Sequence, residues 1–232
     1  VTRRPARSYA IISPHTPKNA LPPEIANTLR ASIVFTGPLL ARTGKVTFPH
    51  PGGCLLGARP IDHFLSGFQK MGAEVTERNG SYEIEAPKGK LSGAVIFFKK
   101  PSVTATETLI LAGVLAEGAT VLGNAAMEPE IVALAEFLNA CGAKIEGAGT
   151  PEIIVKGTGL LSGQKPFVTP PDRIEAGSFL ILGALAARDL TITHCNPAHL
   201  AAPIEHLRAI GVSVEVGKNA LRVRNRDVRK SG

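Results

Sequence analysis

The chain has 232 residues, of which 44% are hydrophobic and 19% charged, and this composition excludes a disordered tail. Its 26 basic and 19 acidic residues leave a formal net charge of +7, which suits either nucleic acid or a small polyanionic substrate. No apolar run approaches the roughly 20 residues of a membrane span, and no secretory signal is recognisable, so we expect a cytoplasmic protein without a membrane partner.

Two sequence patterns recur in phase along the chain and predict a repeated unit. In the first, an apolar segment ends at a glycine that precedes a β-branched run, at Gly72, Gly142 and Gly211, which are 70 and 69 residues apart. In the second, a Leu-Ala pair precedes a polar turn and another β-branched run, at residues 40–47, 115–121 and 185–192. This alternation predicts an α/β fold built from βαβαββ-like units of about 70 residues.

The period divides the chain into three units, at about residues 33–100, 104–170 and 175–232. Residues 1–32 do not fit the period, and we interpret them as a terminal extension or as the remnant of an earlier unit. The Pro170-Pro171 pair is the expected boundary between residues 33–170 and 171–232, because consecutive prolines cannot continue a helix.

Unit two shows the predicted elements most clearly. Apolar residues repeat with helical spacing over residues 129–140, and Gly142 follows as the expected C-cap. Strands are predicted next, at residues 144–147 and 152–156.

The segment from Phe48 to Asp62 is rich in proline and glycine and predicts a shaped loop with Cys54 at its centre. Gly52 and Gly53 let the main chain approach a ligand, and the nearby Arg59 can activate the thiol or anchor an anion. We therefore interpret Cys54 as a reactive thiol.

The other two cysteines, Cys141 and Cys195, lie in apolar elements and are interpreted as small buried hydrophobic residues. No pair of cysteines has the spacing of a metal or redox site, which predicts three free thiols in a reducing compartment.

Three polar helix starts can each be explained without a ligand, and two of them also allow a ligand contact. Arg30 opens the first helix of unit one, either as a solvated surface arginine or as a ligand contact. Ser102 or Thr104 is an N-cap, and the free amides beside it can also receive a phosphate. Asp172 starts the first helix of unit three, where an acid suits the helix N-terminus whatever the function.

Several segments also follow one another in a characteristic order: residues 29–32, 37–42, 51–54, 57–62, 124–126, 128–131 and 171–175. Together they resemble the UDP-N-acetylglucosamine 1-carboxyvinyltransferase family of enolpyruvyl transferases. The resemblance covers about residues 24–225. It is specific, because the sister family, enolpyruvylshikimate-phosphate synthase, shares the repeats but lacks this cysteine loop.

The resemblance implies transfer of enolpyruvate from phosphoenolpyruvate to the 3′-hydroxyl of UDP-N-acetylglucosamine, the first committed step of peptidoglycan synthesis, with no cofactor or metal. Cys54 then corresponds to the general acid that protonates the methylene carbon and can form an adduct with the enolpyruvyl carbon. Arg59 corresponds to an arginine beside phosphoenolpyruvate and the diphosphate. Contacts to the nucleotide sugar are implied for Arg30, Arg59, Pro60, Ile61, Asp62, His63, Lys100, Ser102 and Val103.

The resemblance further implies two lobes of three units each, in an inverse α/β barrel fold, with the substrates in the cleft between them. Residues 33–170 would be two units of the catalytic lobe, and residues 171–232 the first unit of the second lobe. The chain is therefore expected to be an incomplete enzyme, whose missing lobe another chain can supply. Lys18 and Asn19 copy an early Lys-Asn pair of the family but lie only 12 residues before Arg30, which indicates a coincidence or a junction left by truncation.

The chain departs from the family in two places. His63-Phe64 stands where the family has Leu-His, and Pro101 and Thr104 stand where Val and Gly are common. In addition, Lys99-Lys100 offers two lysines where one is expected.

Two other functions fit the sequence. A degenerate module that keeps the sugar-nucleotide surface without turnover would carry the same residues, and an activity assay separates it from an enzyme. Nucleic-acid binding rests on charge alone, because the chain has no tryptophan, two tyrosines and no recognised motif. We therefore expect no nucleic-acid partner, and a salt-titrated DNA-binding assay tests this.

Overall fold

The computed structural model describes residues 2–4, 8–13, 15–53, 60–163 and 166–224. The chain divides into two compact units, residues 1–166 and 167–232, just before the Pro170-Pro171 pair. Each has its own cluster of buried apolar side chains.

The first compact unit opens with an antiparallel hairpin of β1 (Thr2–Arg4) and β2 (Ser8–Ala10). A short helix, α1 (Pro23–Ala26), and a 3₁₀ helix (Arg30–Phe35) then lead into the first repeat. The elements of the first repeat are α2 (Thr36–Thr43), β3 (Lys45–Pro49), α3 (Asp62–Lys70), β4 (Glu74–Arg78) and β5 (Ser81–Glu85). β5 lies between β3 and β4 and pairs antiparallel with both.

The second repeat completes this compact unit and begins before the expected residue 104, because the strand at residues 95–97, predicted in unit one, pairs with the sheet of the second repeat. Its elements are β6 (Val95–Phe97), α4 (Val103–Gly113), β7 (Ala119–Gly123), α5 (Pro129–Ala140), β8 (Lys144–Glu146) and β9 (Glu152–Lys156). The sheet order is β6-β7-β9-β8, with β6 parallel to β7 and the other pairs antiparallel. The βαβαββ prediction is confirmed here, and the strands expected near residues 144–147 and 152–156 are present.

The second compact unit contains the third repeat. Its elements are α6 (Arg173–Ala186), β10 (Asp189–Thr193), a 3₁₀ helix (Pro197–Leu200), α7 (Ala201–Ala209), β11 (Ser213–Val216) and β12 (Ala220–Arg224). The sheet order β10-β12-β11 is that of β3-β5-β4, again with antiparallel pairs.

The three recurring glycines lie at the same structural point, which confirms the predicted repeat. Gly72, Gly142 and Gly211 follow the ends of α3, α5 and α7 with φ of 88°, 105° and 90°. In each case the glycine N–H donates to the carbonyl three residues earlier, and the next N–H donates to the carbonyl five residues before it. This is the Schellman arrangement, which requires a left-handed residue that glycine adopts without strain.

Residues 19–21, which the sequence period left outside unit one, lie beside the first sheet. Ala20 pairs in parallel with Thr47 of β3, and the Thr47 N–H donates to the Asn19 oxygen at 2.8 Å. β6 pairs with β7 in the same way, where the Val121 N–H donates to the Ala94 oxygen at 2.9 Å. Asn19 thus has a main-chain structural role.

The helices that open the second and third repeats differ in how they are covered. On α4, Leu109 is fully buried against Gly67 of α3, and Gly37 of α2 packs on the main chain of Thr108. On α6, Leu180 is buried, whereas the opposite side of the helix exposes Ile174, Phe179, Ile181, Leu182 and Leu185. Within residues 167–224, this outer face of α6 is apolar and uncovered.

The strands of the described ranges form four open sheets, and they do not close into a barrel. The same ranges contain no helix with both the length and the apolar character needed to cross a bilayer.

Candidate functional site

The cysteine loop connects the end of β3 to the start of α3. Cys54 and Arg59, the two residues expected to carry the chemistry, fall in residues 54–59, which lie outside the described residues. The two ends of the loop, residues 50–53 and 60–62, are described and locate where it begins and returns.

Glycines at the first end of the loop pass close to other parts of the main chain. The Gly52 N–H donates to the Ala26 oxygen at 2.9 Å, and a Cβ on Gly52 would overlap the Asn27 carbonyl. A Cβ on Gly53, whose φ is 106°, would lie 2.9 Å from the Cβ of Arg30. The close approach inferred for these glycines is therefore made to α1 and the 3₁₀ helix of the protein itself.

Arg30 lies at the first position of that 3₁₀ helix and is only partly exposed. Its Nη1 is 3.5 Å from the Pro51 oxygen and its Nη2 is 3.4 Å from the Pro60 oxygen, at the long end of the hydrogen-bond range. Because these carbonyls flank the cysteine loop, one guanidinium group contacts both ends of it. Arg30 is therefore not the freely solvated surface arginine that the sequence allowed.

The return end of the loop contains the first predicted nucleotide-binding stretch. Pro60 is exposed, Ile61 is 3% exposed, and Asp62 is an exposed acid at the first position of α3. His63 is half-buried, while Phe64 is 2% exposed and belongs to the core. The His63-Phe64 departure from the family thus places the imidazole at the surface and the phenyl ring inside.

The second predicted stretch follows β6. Lys99, Lys100 and Pro101 are exposed, and Ser102 is the N-cap of α4, with its hydroxyl accepting from the Ala105 N–H at 3.4 Å. Val103 is the first residue of α4. Of the two capping residues proposed from the sequence, the structure uses Ser102, and the other amides of the first turn remain available to an anion.

Phe98 connects the two stretches. Its ring lies edge-on to the ring of His63, with centroids 5.9 Å apart and planes at 82°. Since Arg30 contacts Pro60 at the other end of residues 60–63, a continuous set of contacts runs from Arg30 to the start of α4. The described residues that the resemblance assigned to nucleotide-sugar binding thus lie on segments that are linked through Arg30 and Phe98.

Two residues at this site were not singled out from the sequence. Phe98 had no distinguishing feature, because one more aromatic residue in an apolar run predicts only a core position. Asn124 occurred in a family-like segment but was given no role. Its position just after a β-branched strand was a usable indication, because asparagine is enriched where the main chain turns left-handed.

An acidic group lies one turn into α4. Glu107 is partly buried, and this burial raises the pKa of its carboxyl, which the negative charge of Glu130 raises further. The Glu107 carboxylate is therefore less favoured in the folded protein than in water.

The two described thiols differ in exposure. Cys195 is 3% exposed and its Sγ lies 3.7 Å from the Ile192 oxygen, as expected for a buried hydrophobic residue. Cys141, which ends α5, is partly exposed, so the expectation that it is buried was wrong. Its place at the C-cap, beyond the last buried turn, explains the difference. Across the described ranges, no group of three His, Cys, Asp or Glu residues is arranged to hold a metal ion.

Comparison with known protein families shows which family the chain belongs to. The family model described as EPSP synthase (3-phosphoshikimate 1-carboxyvinyltransferase) matches residues 3–231. This chain belongs to the EPSP synthase family. The enolpyruvyl transferase resemblance found in the sequence is thereby confirmed.

Curated relatives within this family carry a more specific name, UDP-N-acetylglucosamine 1-carboxyvinyltransferase. The one from Acidobacterium capsulatum is 53% identical over 203 residues, which is 87% of this chain and 46% of the relative. Those from Solibacter usitatus and Desulfosudis oleivorans are 45% and 44% identical over 94% and 90% of this chain, and 51% and 50% of the relatives. The chain spans about half the length of the curated relatives it matches.

Solved structures agree on the fold. The enolpyruvyl transferase NikO from Streptomyces tendae aligns with a TM-score of 0.74 at 24% identity, over 89% of this chain and 49% of that protein. EPSP synthase from Acinetobacter baumannii aligns with a TM-score of 0.56 at 21% identity, over 84% of this chain and 46% of that protein. The predicted α/β enolpyruvyl transferase fold is confirmed.

Proposed function

We propose that this chain carries the nucleotide-sugar side of an enzyme that transfers enolpyruvate from phosphoenolpyruvate to the 3′-hydroxyl of UDP-N-acetylglucosamine. The observation that carries the proposal is 44–53% identity to relatives bearing the corresponding name over about nine tenths of the chain. The protein would then be a cytoplasmic transferase of peptidoglycan synthesis and would contribute to cell-wall biogenesis, cell shape, the cell cycle and cell division.

The described residues suit a ligand with a diphosphate group. Lys100 offers an exposed cation next to the N-terminus of α4, where main-chain amides and the helix dipole favour negative charge. Arg30 lies at the opposite end of the same set of contacts and has a planar guanidinium suited to paired oxygens. The side chain of Ile61 is buried, so Ile61 can offer a ligand only its main chain.

Residues of the cysteine loop would carry the chemistry. Addition of the sugar 3′-oxygen to the central carbon of phosphoenolpyruvate requires a proton on the methylene carbon, which the Cys54 thiol would donate. The proton of the 3′-hydroxyl would pass to a carboxylate of the missing lobe. Loss of phosphate from the central carbon and of a proton from the resulting methyl group then regenerates the double bond in the product. Arg59 would stabilise the phosphate oxygens during both steps.

A chimera tests this proposal directly. The matched 203-residue segment of the Acidobacterium capsulatum relative is replaced by the corresponding part of this chain, and phosphate release from phosphoenolpyruvate is measured with and without UDP-N-acetylglucosamine. We expect release that depends on the nucleotide sugar and is abolished by Cys54→Ser. A folded chimera that releases no phosphate would contradict the proposed reaction.

The alternative function is a sugar-nucleotide-binding module without turnover, which would use the same surface with Arg30 and the exposed Lys100. The chimera separates the two functions, because a module of this kind would bind UDP-N-acetylglucosamine yet give an inactive chimera. The 232-residue chain alone is expected to release no phosphate in either case, unless a second chain supplies the remaining groups.

A further inference from the structure

Asn124 has an unusual main-chain conformation. It follows β7 directly and has a φ of 55°, in the left-handed region that residues other than glycine seldom occupy. His194, which follows β10 in the third repeat, has a φ of 57°. The two residues therefore occupy equivalent turns, and the turn itself accepts either side chain.

The two side chains act differently. The Asn124 Nδ2 donates to the Phe98 oxygen at 2.8 Å, across the gap between β7 and the end of β6. The Phe98 N–H in turn donates to the Gly123 oxygen at 3.0 Å. His194 instead has a local contact, with its Nδ1 3.1 Å from the Thr193 Oγ1. Only the asparagine of this pair holds a neighbouring strand end.

The segment that holds Asn124 is itself fixed on both sides. The Ala125 N–H donates to the Pro151 oxygen at 2.9 Å, and the Ala126 N–H donates to the Thr106 hydroxyl of α4 at 3.1 Å. Thr106 is fully buried. The amide of Asn124 therefore extends from a rigid support and can locate the residues it bonds.

Phe98 links Asn124 to the candidate site. It is 1% exposed, its ring meets His63, and the segment Lys99–Val103 follows it directly. Displacing the Phe98 carbonyl would move both the ring that supports His63 and the approach to the N-terminus of α4.

We propose that Asn124 is a positioning residue for nucleotide-sugar binding, whose amide holds Phe98 so that residues 60–63 and 100–103 keep one geometry. Asn124 acts through Phe98 and does not itself touch the ligand. The identity of the ligand rests on the proposed function. The effect of Asn124 on the positions of Phe98 and His63 does not, because it concerns the protein without ligand.

The test compares Asn124→Gly with His194→Gly in the 232-residue chain. Both substitutions accept a left-handed φ, so neither introduces strain, and only the first removes a hydrogen bond to another strand. The first measurement is the NMR shift of the His63 ring protons without ligand, assigned with His63→Gln. The ring current of Phe98 moves the His63 proton resonances away from the values of a solvent-exposed histidine. We expect Asn124→Gly to return these resonances towards the solvent-exposed values, and His194→Gly to leave them unchanged.

The second measurement is affinity for UDP-N-acetylglucosamine. Loss of one hydrogen bond corresponds to a weakening of about three- to tenfold for Asn124→Gly, with no change for His194→Gly. Asn124→Asp supplies a second variant if the glycine variant does not fold, because it keeps the size and left-handed tolerance of asparagine but turns an acceptor towards the Phe98 carbonyl. It should produce the same two losses.

The outcomes separate this inference from the proposed function. Unchanged His63 shifts in a folded Asn124 variant would overturn the positioning role, and so would wild-type affinity in that variant. Failure of the wild-type chain to bind the nucleotide sugar would overturn the proposed function and the ligand part of the inference. The His63 shifts would then still decide whether Asn124 sets the geometry.

Discussion

Gly52 lies directly against the main chain of Asn27, so that a Cβ on Gly52 would overlap the Asn27 carbonyl. Because the obstruction is main chain, it cannot be relieved by a side-chain rotation. This contact fixes where the cysteine loop leaves β3, immediately beside Arg30.

We therefore expect Gly52→Ala to lower the free energy of unfolding by about 1–3 kcal/mol, the usual cost of overpacking. Denaturant unfolding followed by circular dichroism measures this. Gly159→Ala is the matched control, because its Cβ would meet no atom within 4 Å, and it should change stability little. Equal stability of the two variants would show that α1 does not hold the loop in this way.

The three thiols are expected to differ in reactivity. Cys54 should be alkylated first, because its loop is rich in glycine and has Arg59 nearby. Cys141 should follow because it is partly exposed, and Cys195, at 3% exposure, should react last. Timed labelling with iodoacetamide and peptide mass spectrometry gives the order. Earlier labelling of Cys141 or Cys195 would contradict the interpretation of Cys54 as the reactive thiol.

Glu107 makes stability depend on pH in a defined direction. Burial, followed by the charge of Glu130, raises the pKa of Glu107 in the folded protein, so the unfolded chain loses this proton first as the pH rises. The contribution of Glu107 to stability therefore falls once the pH exceeds the ordinary carboxyl pKa of about 4.3, and it levels off above the folded-state pKa.

Glu107→Gln removes this titration. We expect the variant to unfold at a higher temperature than the wild type at pH 7, with the difference shrinking as the pH approaches 4. Thermal unfolding over this pH range tests the expectation. A Glu107 variant less stable than the wild type at pH 7 would mean that its carboxylate is favoured in the folded state.

Much of the repeat was predictable, because it depends on local patterns that the sequence contains. Gly142 after an amphipathic run defines a helix end through its left-handed φ, and this requirement needs no knowledge of distant residues. The pairing of Ala20 with Thr47 was missed because the two residues lie in separate segments. A single parallel bridge leaves no recognisable pattern in the sequence of either segment.

The candidate site was predictable only in part, for the same physical reason. The Ser102 cap followed from its place before an apolar helix. The contact of Arg30 with the carbonyls of Pro51 and Pro60 depends on how the loop ends fold back, and the link from Asn124 through Phe98 depends on neighbouring strands. Such tertiary contacts are not encoded in spacing.

The two faces of α6 should respond differently to the same substitution. Leu180→Ala removes a fully buried side chain and should cost about 2–5 kcal/mol, whereas Leu185 is 75% exposed and its substitution should cost less than about 0.5 kcal/mol. Hydrogen exchange of the β10 and β12 amides reports the stability of this compact unit. A large cost for Leu185→Ala would show that the outer face of α6 is covered in solution.

We propose that Arg30, residues 60–63 and residues 100–103 form one surface for the nucleotide sugar. Titration of the ¹⁵N-labelled chain with UDP-N-acetylglucosamine, followed by mapping of the shifted amides, tests whether this surface binds the ligand. We expect weak, saturable binding with shifts concentrated in these three segments, lost in Arg30→Met and absent with N-acetylglucosamine alone. Absence of saturable shifts, or shifts confined to residues 167–224, would show that these three segments do not form the binding surface.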